Sequence, residues 1–155
     1  MSVSAEHQYC TFLLGEHYFG IDVLEVQEVL SHREMTRVPL APPAVCGLIN
    51  LRGQIVTALD LRRRLGLPDR PAGRHPMNVV VSTDDGAVSL LVDEIGDVLS
   101  VPEDAFEPPP ETLRGPARSV VRGVYKLDGR LLLILDTKRA VTLAGDRNYE
   151  HSPES

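Results

Sequence analysis

Apolar residues in this chain recur in short runs of strand length, and turn-forming residues separate them. Gly15, Gly53, Gly86 and Gly129 each lie between two such runs, a pattern typical of β-hairpins. The clearest predicted strands cover residues 9–14, 18–21, 45–50, 54–61, 78–82, 87–92, 119–127 and 130–135. In total the pattern predicts roughly eight to ten short strands, which favours small barrels or a sandwich over alternating strand–helix units.

A few segments have patterns that differ from a strand. Asp22 is followed three residues later by Glu25, and Val23, Val26, Val29 and Leu30 recur at helical spacing. We therefore predict a short amphipathic helix over residues 22–30, with Glu25 and Glu28 on its exposed face. Short helices are also predicted over residues 62–66 and 136–143, and residues 93–101 fit either a helix or a continued strand.

The sequence of the second hairpin occurs twice. When Val45 is set against Val121 without gaps, six further identical pairs result: Gly47 and Gly123, Leu51 and Leu127, Gly53 and Gly129, Leu59 and Leu135, Asp60 and Asp136, and Arg63 and Arg139. Upstream, residues 26–31 match residues 95–100 in type at every position but one. Both echoes lie about 70 residues apart, which is too long for a solenoid repeat and indicates two similar half-structures.

The segment 68–76 contains three prolines and one glycine, and it separates the two halves. We expect one domain over residues 9–143, with one subdomain over about 9–70 and the other over about 76–143. Each small barrel would lack a full core alone, so we expect the two to bury apolar faces against each other. The polar residues 1–8 are predicted to form a flexible tail, and residues 144–155 a disordered one.

Composition and charge exclude several classes of function. The chain has 155 residues, a net charge of −6 and a pI near 5.3, whereas binders of nucleic acid or anionic membranes need a basic surface. Its longest apolar run, Leu131 to Leu135, is too short to cross a bilayer, and its first residues do not resemble a secretory signal. We therefore expect a cytoplasmic protein, in which Cys10 and Cys46 are free buried thiols.

No catalytic constellation is evident in the sequence. It has no Gly-rich phosphate loop, no nucleophile elbow and no His-Glu-x-x-His motif, and its histidines fall in tails, turns and linkers. Asp60 and Asp136 end equivalent strands before short helices, so we interpret both as helix caps. The run Arg62-Arg63-Arg64 is interpreted as a solvated face. The sequence thus predicts a protein that is not an enzyme and has no metal or cofactor.

Arg52 is the residue that these structural interpretations leave unexplained. It lies beside the turn glycine Gly53, between two apolar strands, where a charged side chain would be presented to solvent. Arginine is a preferred anchor of protein interfaces because its planar guanidinium can hold a carboxylate or backbone carbonyls. An apolar surface between two barrels, edged by such a charge, indicates a protein-binding site.

A series of short motifs runs in order from about Tyr9 to Leu143: Phe12-Leu13-Leu14-Gly15, Tyr18-Phe19-Gly20-Ile21-Asp22, Val26-Gln27-Glu28-Val29, Gly47-Leu48-Ile49-Asn50-Leu51-Arg52-Gly53, Val56, Asp60-Leu61-Arg62 and Val92-Asp93. This series resembles the CheW-like family, the bacterial chemotaxis coupling proteins. The resemblance implies a mainly β fold of two side-by-side SH3-like five-stranded barrels with short helices. It also implies a non-enzymatic adaptor that links methyl-accepting chemotaxis receptors, through their cytoplasmic hairpin tips, to the regulatory domain of the histidine kinase CheA.

The resemblance also suggests which residues contact each partner. Carried over position by position, the receptor-binding candidates are Val26, Glu28, Asn50, Arg52 and Met77. The kinase-binding candidates are Val29, Leu30 and Gly47, although Gly47 and Gly53 also fit a purely backbone role.

The chain departs from the family pattern in having Thr57 where proline is common, and in its short C-terminal helix. Two other interpretations stay open: a coupler for a non-flagellar pathway such as gliding, pili or second-messenger control, and a small-molecule-binding double barrel.

Overall fold

The computed structural model describes residues 5–142, and most of them lie in strands. The strands are β1 Glu6–Leu14, β2 His17–Asp22, β3 Val26–Leu30, β4 Val45–Leu51, β5 Gln54–Asp60, β6 Met77–Thr83, β7 Gly86–Val92, β8 Glu94–Pro102, β9 Val121–Leu127 and β10 Arg130–Leu135. The α-helices are α1 Leu61–Arg64, α2 Pro116–Val120 and α3 Thr137–Val141, and single 3-10 turns cover Val23–Glu25 and Glu103–Ala105. None of the helices in this part of the chain has the length and apolar character needed to span a bilayer.

The strands form two five-stranded sheets, each of which closes into a small barrel. The first sheet has the order β8-β1-β2-β10-β9, and the second has the order β3-β6-β7-β5-β4. In the second, the backbone of Thr36, in the segment that follows the edge strand β3, exchanges two hydrogen bonds of 2.8 Å with Leu48 of the other edge strand, β4. Glu107 and Val124 make the equivalent bridge in the first. The predicted pair of five-stranded barrels is therefore confirmed.

The predicted subdomain boundaries placed the division between the barrels at residues 70–76. The two barrels do not divide the chain there. The second sheet takes β3, β4 and β5 from the first sequence half and β6 and β7 from the second. The first sheet takes β1 and β2 from the first half and β8, β9 and β10 from the second. Each barrel thus combines a hairpin of one half with three strands of the other, and the halves are interlocked.

Buried apolar side chains form three clusters. The largest lies between the sheets and includes Phe12 and Phe19 from the first sheet with Val79 and Leu90 from the second. The rings of Phe12 and Phe19 are stacked with centroids 5.6 Å apart. Two smaller clusters fill the barrel interiors. They are Ile49, Leu51, Val56, Ala58, Val80 and Leu91 in the second barrel, and Tyr9, Val101, Tyr125, Leu132 and Ile134 in the first.

The predicted helix over residues 22–30 is wrong. Asp22 does act as an N-cap, since its Oδ1 accepts a 2.9 Å hydrogen bond from the Leu24 N–H, but it caps only a single 3-10 turn. The chain then continues as β3, which is paired with β6, and a bulge falls between Val26 and Glu28. Because a bulge sets two residues against one, Val26 and Val29 face the same side although they are three residues apart. A spacing of three residues between side chains on one side is also typical of a helix, and the sequence pattern was therefore the same.

Several smaller predictions also change. Strand β1 begins at Glu6, so residues 6–8 are not a tail, and the predicted strand from 119 begins only at Val121, after α2. Residues 94–102 are a strand, the second of the two options for that segment. The helices predicted over 62–66 and 136–143 are present as α1 and α3, each of a turn or so. Residues 1–4 and 143–155, the other parts of the predicted tails, lie outside the described residues.

Candidate protein-binding site

The turn between β4 and β5 presents Arg52 to solvent in an unusual backbone conformation. Arg52 has φ of 51° and Gly53 has φ of 87°, and positive φ at both central residues is what a two-residue type I′ hairpin turn requires. Asn50 supports the turn, because its Oδ1 accepts a 2.9 Å hydrogen bond from the Gly53 N–H. Two of the predicted receptor-binding residues, Asn50 and Arg52, are therefore neighbours in one turn.

Glu28 of β3 is ion-paired with Arg52 across the end of the barrel. The Arg52 Nη2 donates to the Glu28 Oε2, and the side chain of Arg52 is 71% exposed whereas that of Glu28 is 22% exposed. An exposed ion pair of this kind contributes less than about 1 kcal/mol to stability, so the pair is readily exchanged for another partner. The guanidinium is thus available to a carboxylate or carbonyl of a binding partner.

Ile55, which is not among the residues predicted from the sequence, adds an apolar side chain to the same surface. It is directly opposite Asn50 in the β4–β5 ladder and is 61% exposed. The exposure of Ile55 follows from the alternation of side chains along β5. Successive residues of a strand face opposite sides, and the next residue, Val56, faces the barrel interior. A charged residue beside an exposed apolar one is a combination that protein interfaces use.

The other two receptor-binding candidates lie elsewhere on the β3–β6 ladder. Val26 is partly buried against the cluster between the sheets and is paired with Val81. Met77 is partly buried against the same cluster but starts β6, four residues before Val81. The structure therefore brings Glu28, Asn50 and Arg52 together, with Val26 nearby on β3, and sets Met77 at the opposite end of the ladder.

The kinase-binding candidates differ in accessibility. Val29 is 39% exposed on the edge strand β3, and Leu30 is partly buried against the second barrel's interior. Gly47 is buried under the bridge that closes this barrel, where an added Cβ would lie 2.6 Å from the Thr36 carbonyl oxygen. Gly123 has the same relation to the Glu107 carbonyl, also at 2.6 Å. Gly47 thus allows the close approach of two backbone segments.

A sequence model of the CheW-like domain matches residues 8–144 of the chain. The chain belongs to the CheW-like family. The Probable chemotaxis protein CheW of Rhizobium etli is 30% identical over 132 residues, which cover 84% of each chain. The Chemotaxis protein CheW of Bacillus subtilis is 33% identical over 125 residues, which cover 81% of this chain and 80% of that one.

A solved structure of the same family has a closely similar fold. It is the crystal structure of the scaffolding protein TtCheW from Thermoanaerobacter tengcongensis, with a TM-score of 0.82 and 28% sequence identity. The alignment covers 91% of this chain and 96% of that one. The chain is thus similar over most of its length to scaffolding and chemotaxis proteins, as the motifs from Tyr9 to Leu143 predicted.

The family motifs Asp60-Leu61-Arg62 and Val92-Asp93 meet in a buried ion-pair network, so the interpretation of the run Arg62-Arg63-Arg64 as a solvated face is wrong for Arg62. Arg62 donates to both carboxylate oxygens of Asp93, and its Nη2 lies 2.6 Å from Oδ2. Arg70 donates to the same carboxylate at 2.8 Å and also lies 3.5 Å from Asp60. All four side chains are at most 12% exposed. The network therefore has a structural role.

The pKa of Asp93 reflects this environment. Burial by itself would raise the pKa, but hydrogen bonds from Arg62, from the Gly15 backbone N–H and from Arg70 outweigh it and lower the pKa to about 2. Gly15 lies in the β1–β2 turn of the first barrel, whereas Arg62 lies in α1, directly after β5 of the second barrel. Asp93 therefore ties the two barrels together in its ionised form.

The remaining candidate residues have structural roles too. Asp60 accepts from the Arg62 N–H at 3.0 Å and Asp136 from the Arg139 N–H at 3.1 Å, so both are helix caps as predicted. Cys10 and Cys46 are free thiols, although each is only partly buried. Within residues 5–142, no three His, Cys, Asp or Glu side chains come together in a way that would hold a metal ion.

Proposed function

We propose that this protein is a non-enzymatic adaptor that couples methyl-accepting chemoreceptors to the histidine kinase CheA in membrane-associated arrays. Its membership of a family that includes a scaffolding protein and several chemotaxis proteins supports this role. The observation that carries the proposal is the exposed Arg52, held in a type I′ turn beside exposed Ile55, with one weak ion pair to Glu28. This is a surface for recognising another protein.

On the receptor side, the centre of the proposed contact is the group Glu28, Asn50 and Arg52. A receptor carboxylate or backbone carbonyl would take the guanidinium of Arg52 from Glu28, while Ile55 would pack against an apolar side chain of the receptor. Val26 lies two residues from Glu28 on β3 but faces the cluster between the sheets, so it belongs to the proposed contact only at the edge of this surface. Met77 belongs to the proposed contact only if the receptor segment reaches the far end of the β3–β6 ladder.

On the kinase side, the proposed contact is the edge of β3 at Val29 and Leu30. Val29 is exposed and apolar, and a short edge strand is a natural place for another protein to dock. We propose that Gly47 contributes indirectly, because it lets the Thr36 bridge lie close to β4 and so fixes the shape of the barrel beside this edge.

Coupling in this proposal is a population shift. The adaptor holds receptor and kinase together, and a signalling change in the receptor alters the relative free energies of active and inactive kinase arrangements through both interfaces. The individual contacts are weak, and neighbouring contacts in an array raise their effective concentration.

The test is a reconstitution of receptor-controlled CheA autophosphorylation on membranes that contain a chemoreceptor. We expect kinase activity to respond to receptor ligand only when receptor, kinase and this protein are all present. Omission of each component in turn is the control. If the protein neither binds the kinase nor changes its activity with cognate partners, the adaptor role is wrong even though the fold stands.

A further inference from the structure

A large groove on the described surface lies away from the Arg52 site. It has a volume of about 860 Å³ and runs beneath the segment 32–43, with Met35, Val38, Pro42 and Cys46 among its lining residues. Cys46 lies six residues before Arg52 along β4, a distance of roughly 20 Å in an extended strand. The groove, which we call the arginine groove, is therefore separate from the proposed receptor contact.

The arginine groove is basic although the chain as a whole has a net charge of −6. Arg33, Arg37 and Arg63 line it together with a single carboxylate, that of Glu34. Arg63 is ion-paired with Asp69, but neither Arg33 nor Arg37 forms an ion pair within residues 5–142. The apolar residues of the lining and the excess of arginines over carboxylates favour an acidic segment that carries at least one large apolar side chain.

The described chain ends beside this groove. Arg64 of α1 donates hydrogen bonds to the carbonyls of Arg139, Ala140 and Thr142, at 3.0, 2.9 and 3.1 Å. The adjacent residue Arg63 donates to the carbonyl of Pro43, which lines the groove, at 3.3 Å. Two adjacent side chains of α1, those of Arg64 and Arg63, therefore contact residue 142 and the rim of the groove.

The segment that follows has the required chemistry. Residues 144–155 contain Asp146, Glu150 and Glu154 against one arginine, and one large aromatic side chain, that of Tyr149. The thirteen residues after Thr142 span up to roughly 45 Å when extended, more than enough to pass α1. We propose that residues 144–155 dock in the arginine groove, with Tyr149 on its apolar lining and the acidic residues toward Arg33 and Arg37. This inference is independent of the proposed function.

Tyr149→Trp in the full chain provides a reporter, because the sequence contains no tryptophan. We expect its emission to be blue-shifted relative to a free peptide of residues 144–155 with the same substitution. Raising the salt concentration to 1 M should shift it toward the free-peptide value, because the Debye length falls to about 3 Å. Cys46 gives a second readout: docking slows its reaction with a thiol reagent, while Cys10 on β1 is the internal control.

Charge reversal tests the pairing directly. Arg33→Glu with Arg37→Glu should raise the Cys46 labelling rate about three- to tenfold, since each exposed ion pair contributes less than about a factor of ten to binding. Adding Glu150→Arg and Glu154→Arg to the same chain should restore slow labelling. Arg114→Glu, at an exposed arginine outside the groove, is the matched control and should change neither readout.

Two outcomes would overturn the inference. One is a Tyr149→Trp chain whose emission matches that of the free peptide, together with Cys46 labelling that the groove variants do not change. The other is protection of Cys46 by an added purified partner, the receptor hairpin or the kinase regulatory domain, with no effect of the tail charges, which would assign the groove to that partner.

Discussion

Arg52 has a left-handed backbone conformation and an exposed charged side chain. A non-glycine residue with positive φ carries a cost on the order of 1 kcal/mol, and asparagine or glycine would suit this turn better. Strain of this kind persists where function requires the side chain. The residue therefore supports the proposed receptor contact on conformational as well as chemical grounds.

Arg52→Asn separates the side chain from the turn, because asparagine tolerates positive φ. We expect the free energy of unfolding in urea to stay the same or rise by up to about 1 kcal/mol, while receptor binding falls at least about tenfold. Asp128→Asn, at the equivalent position of the β9–β10 turn, is the control and should leave binding intact. An Arg52→Asn variant that couples normally would show that the site is wrongly placed.

The sequence predicted most of the roles of single residues that depend only on their neighbours along the chain. Asp60 and Asp136 are caps because a short polar side chain before a helix can satisfy a free N–H, which is a local matter. Arg62 was missed because its partner Asp93 is 31 residues away and reaches it only through the tertiary fold. Ile55 was missed because exposure depends on which strands cover a face.

At the scale of elements, the hairpins were predictable and β3 was not. Turn residues mark a hairpin within a few positions, whereas β3 is a short edge strand whose partner, β6, lies some 50 residues further along the chain. The bulge at Gln27 gave its apolar residues a spacing of three, and no local signal distinguishes that from a helical turn. Tertiary pairing decided between the two.

The bridges that close the barrels are elements that depend on one glycine each. Gly47→Ala should lower the free energy of unfolding by about 1–3 kcal/mol, because its Cβ would lie within 3.0 Å of a backbone carbonyl that cannot move without breaking the bridge. Gly123→Ala should cost at least as much, because its Cβ would lie 2.6 Å from the Glu107 carbonyl oxygen and closer still to the Phe106 ring. Urea unfolding followed by circular dichroism measures both.

Gly73→Asn is the control, since nothing lies within 4 Å of a Cβ there and asparagine accepts positive φ. We expect it to be within about 0.5 kcal/mol of the parent chain. If Gly47→Ala is as stable as this control, the structure can shift to accept the added Cβ. The bridge to Thr36 then does not require glycine at position 47.

At the scale of the whole molecule, two features hold the barrels together: the interlocked strands and the Asp93 network. The repeat of residues 45–61 in the second half correctly predicted two similar units. It did not predict that the units exchange hairpins. A barrel built from one half alone and a barrel that takes a hairpin from the other half give each strand an equivalent neighbour. The pairings between strands of different halves distinguish the two arrangements: β1 with β8, β2 with β10, β3 with β6 and β5 with β7.

The Asp93 network should make stability depend on pH. The pKa of Asp93 is lowered from its ordinary value of 3.8 to about 2, so its contribution is present above about pH 4 and is lost as the pH falls toward 2. That contribution is roughly 2 kcal/mol. Asp93→Asn should cost about 3 kcal/mol at neutral pH, because Arg62 and Arg70 lose a buried partner.

Urea unfolding at pH 7, 4 and 2.5 measures this dependence, and the Asp93→Asn chain should lose less stability between pH 4 and 2.5 than the parent. Asp85→Asn, in the exposed β6–β7 turn, is the control and should follow the parent at every pH. If the parent and Asp93→Asn lose the same free energy of unfolding between pH 4 and 2.5, carboxylates other than Asp93 dominate the loss of stability in acid.

Cutting the backbone between Pro71 and Arg74 should leave the two pieces associated. Each barrel needs strands from both pieces, so we expect a cleaved chain to elute at the intact size and to keep its β-sheet circular dichroism. Each piece produced alone should be unfolded. Two pieces that separate and remain folded would contradict the interlocked arrangement.

The exchange of hairpins also sets an order of events during synthesis. Residues 26–92 contain every strand of the second barrel, so that barrel can assemble while the rest of the chain is still being made. The first hairpin leaves the ribosome earliest but has no sheet to join until β8, β9 and β10 follow. Phe12 and Phe19 can pack on Val79 and Leu90 of the assembled second barrel, but Tyr9 must wait for Tyr125, Leu132 and Ile134, so the nascent chain is most open to chaperones and to aggregation at its own beginning.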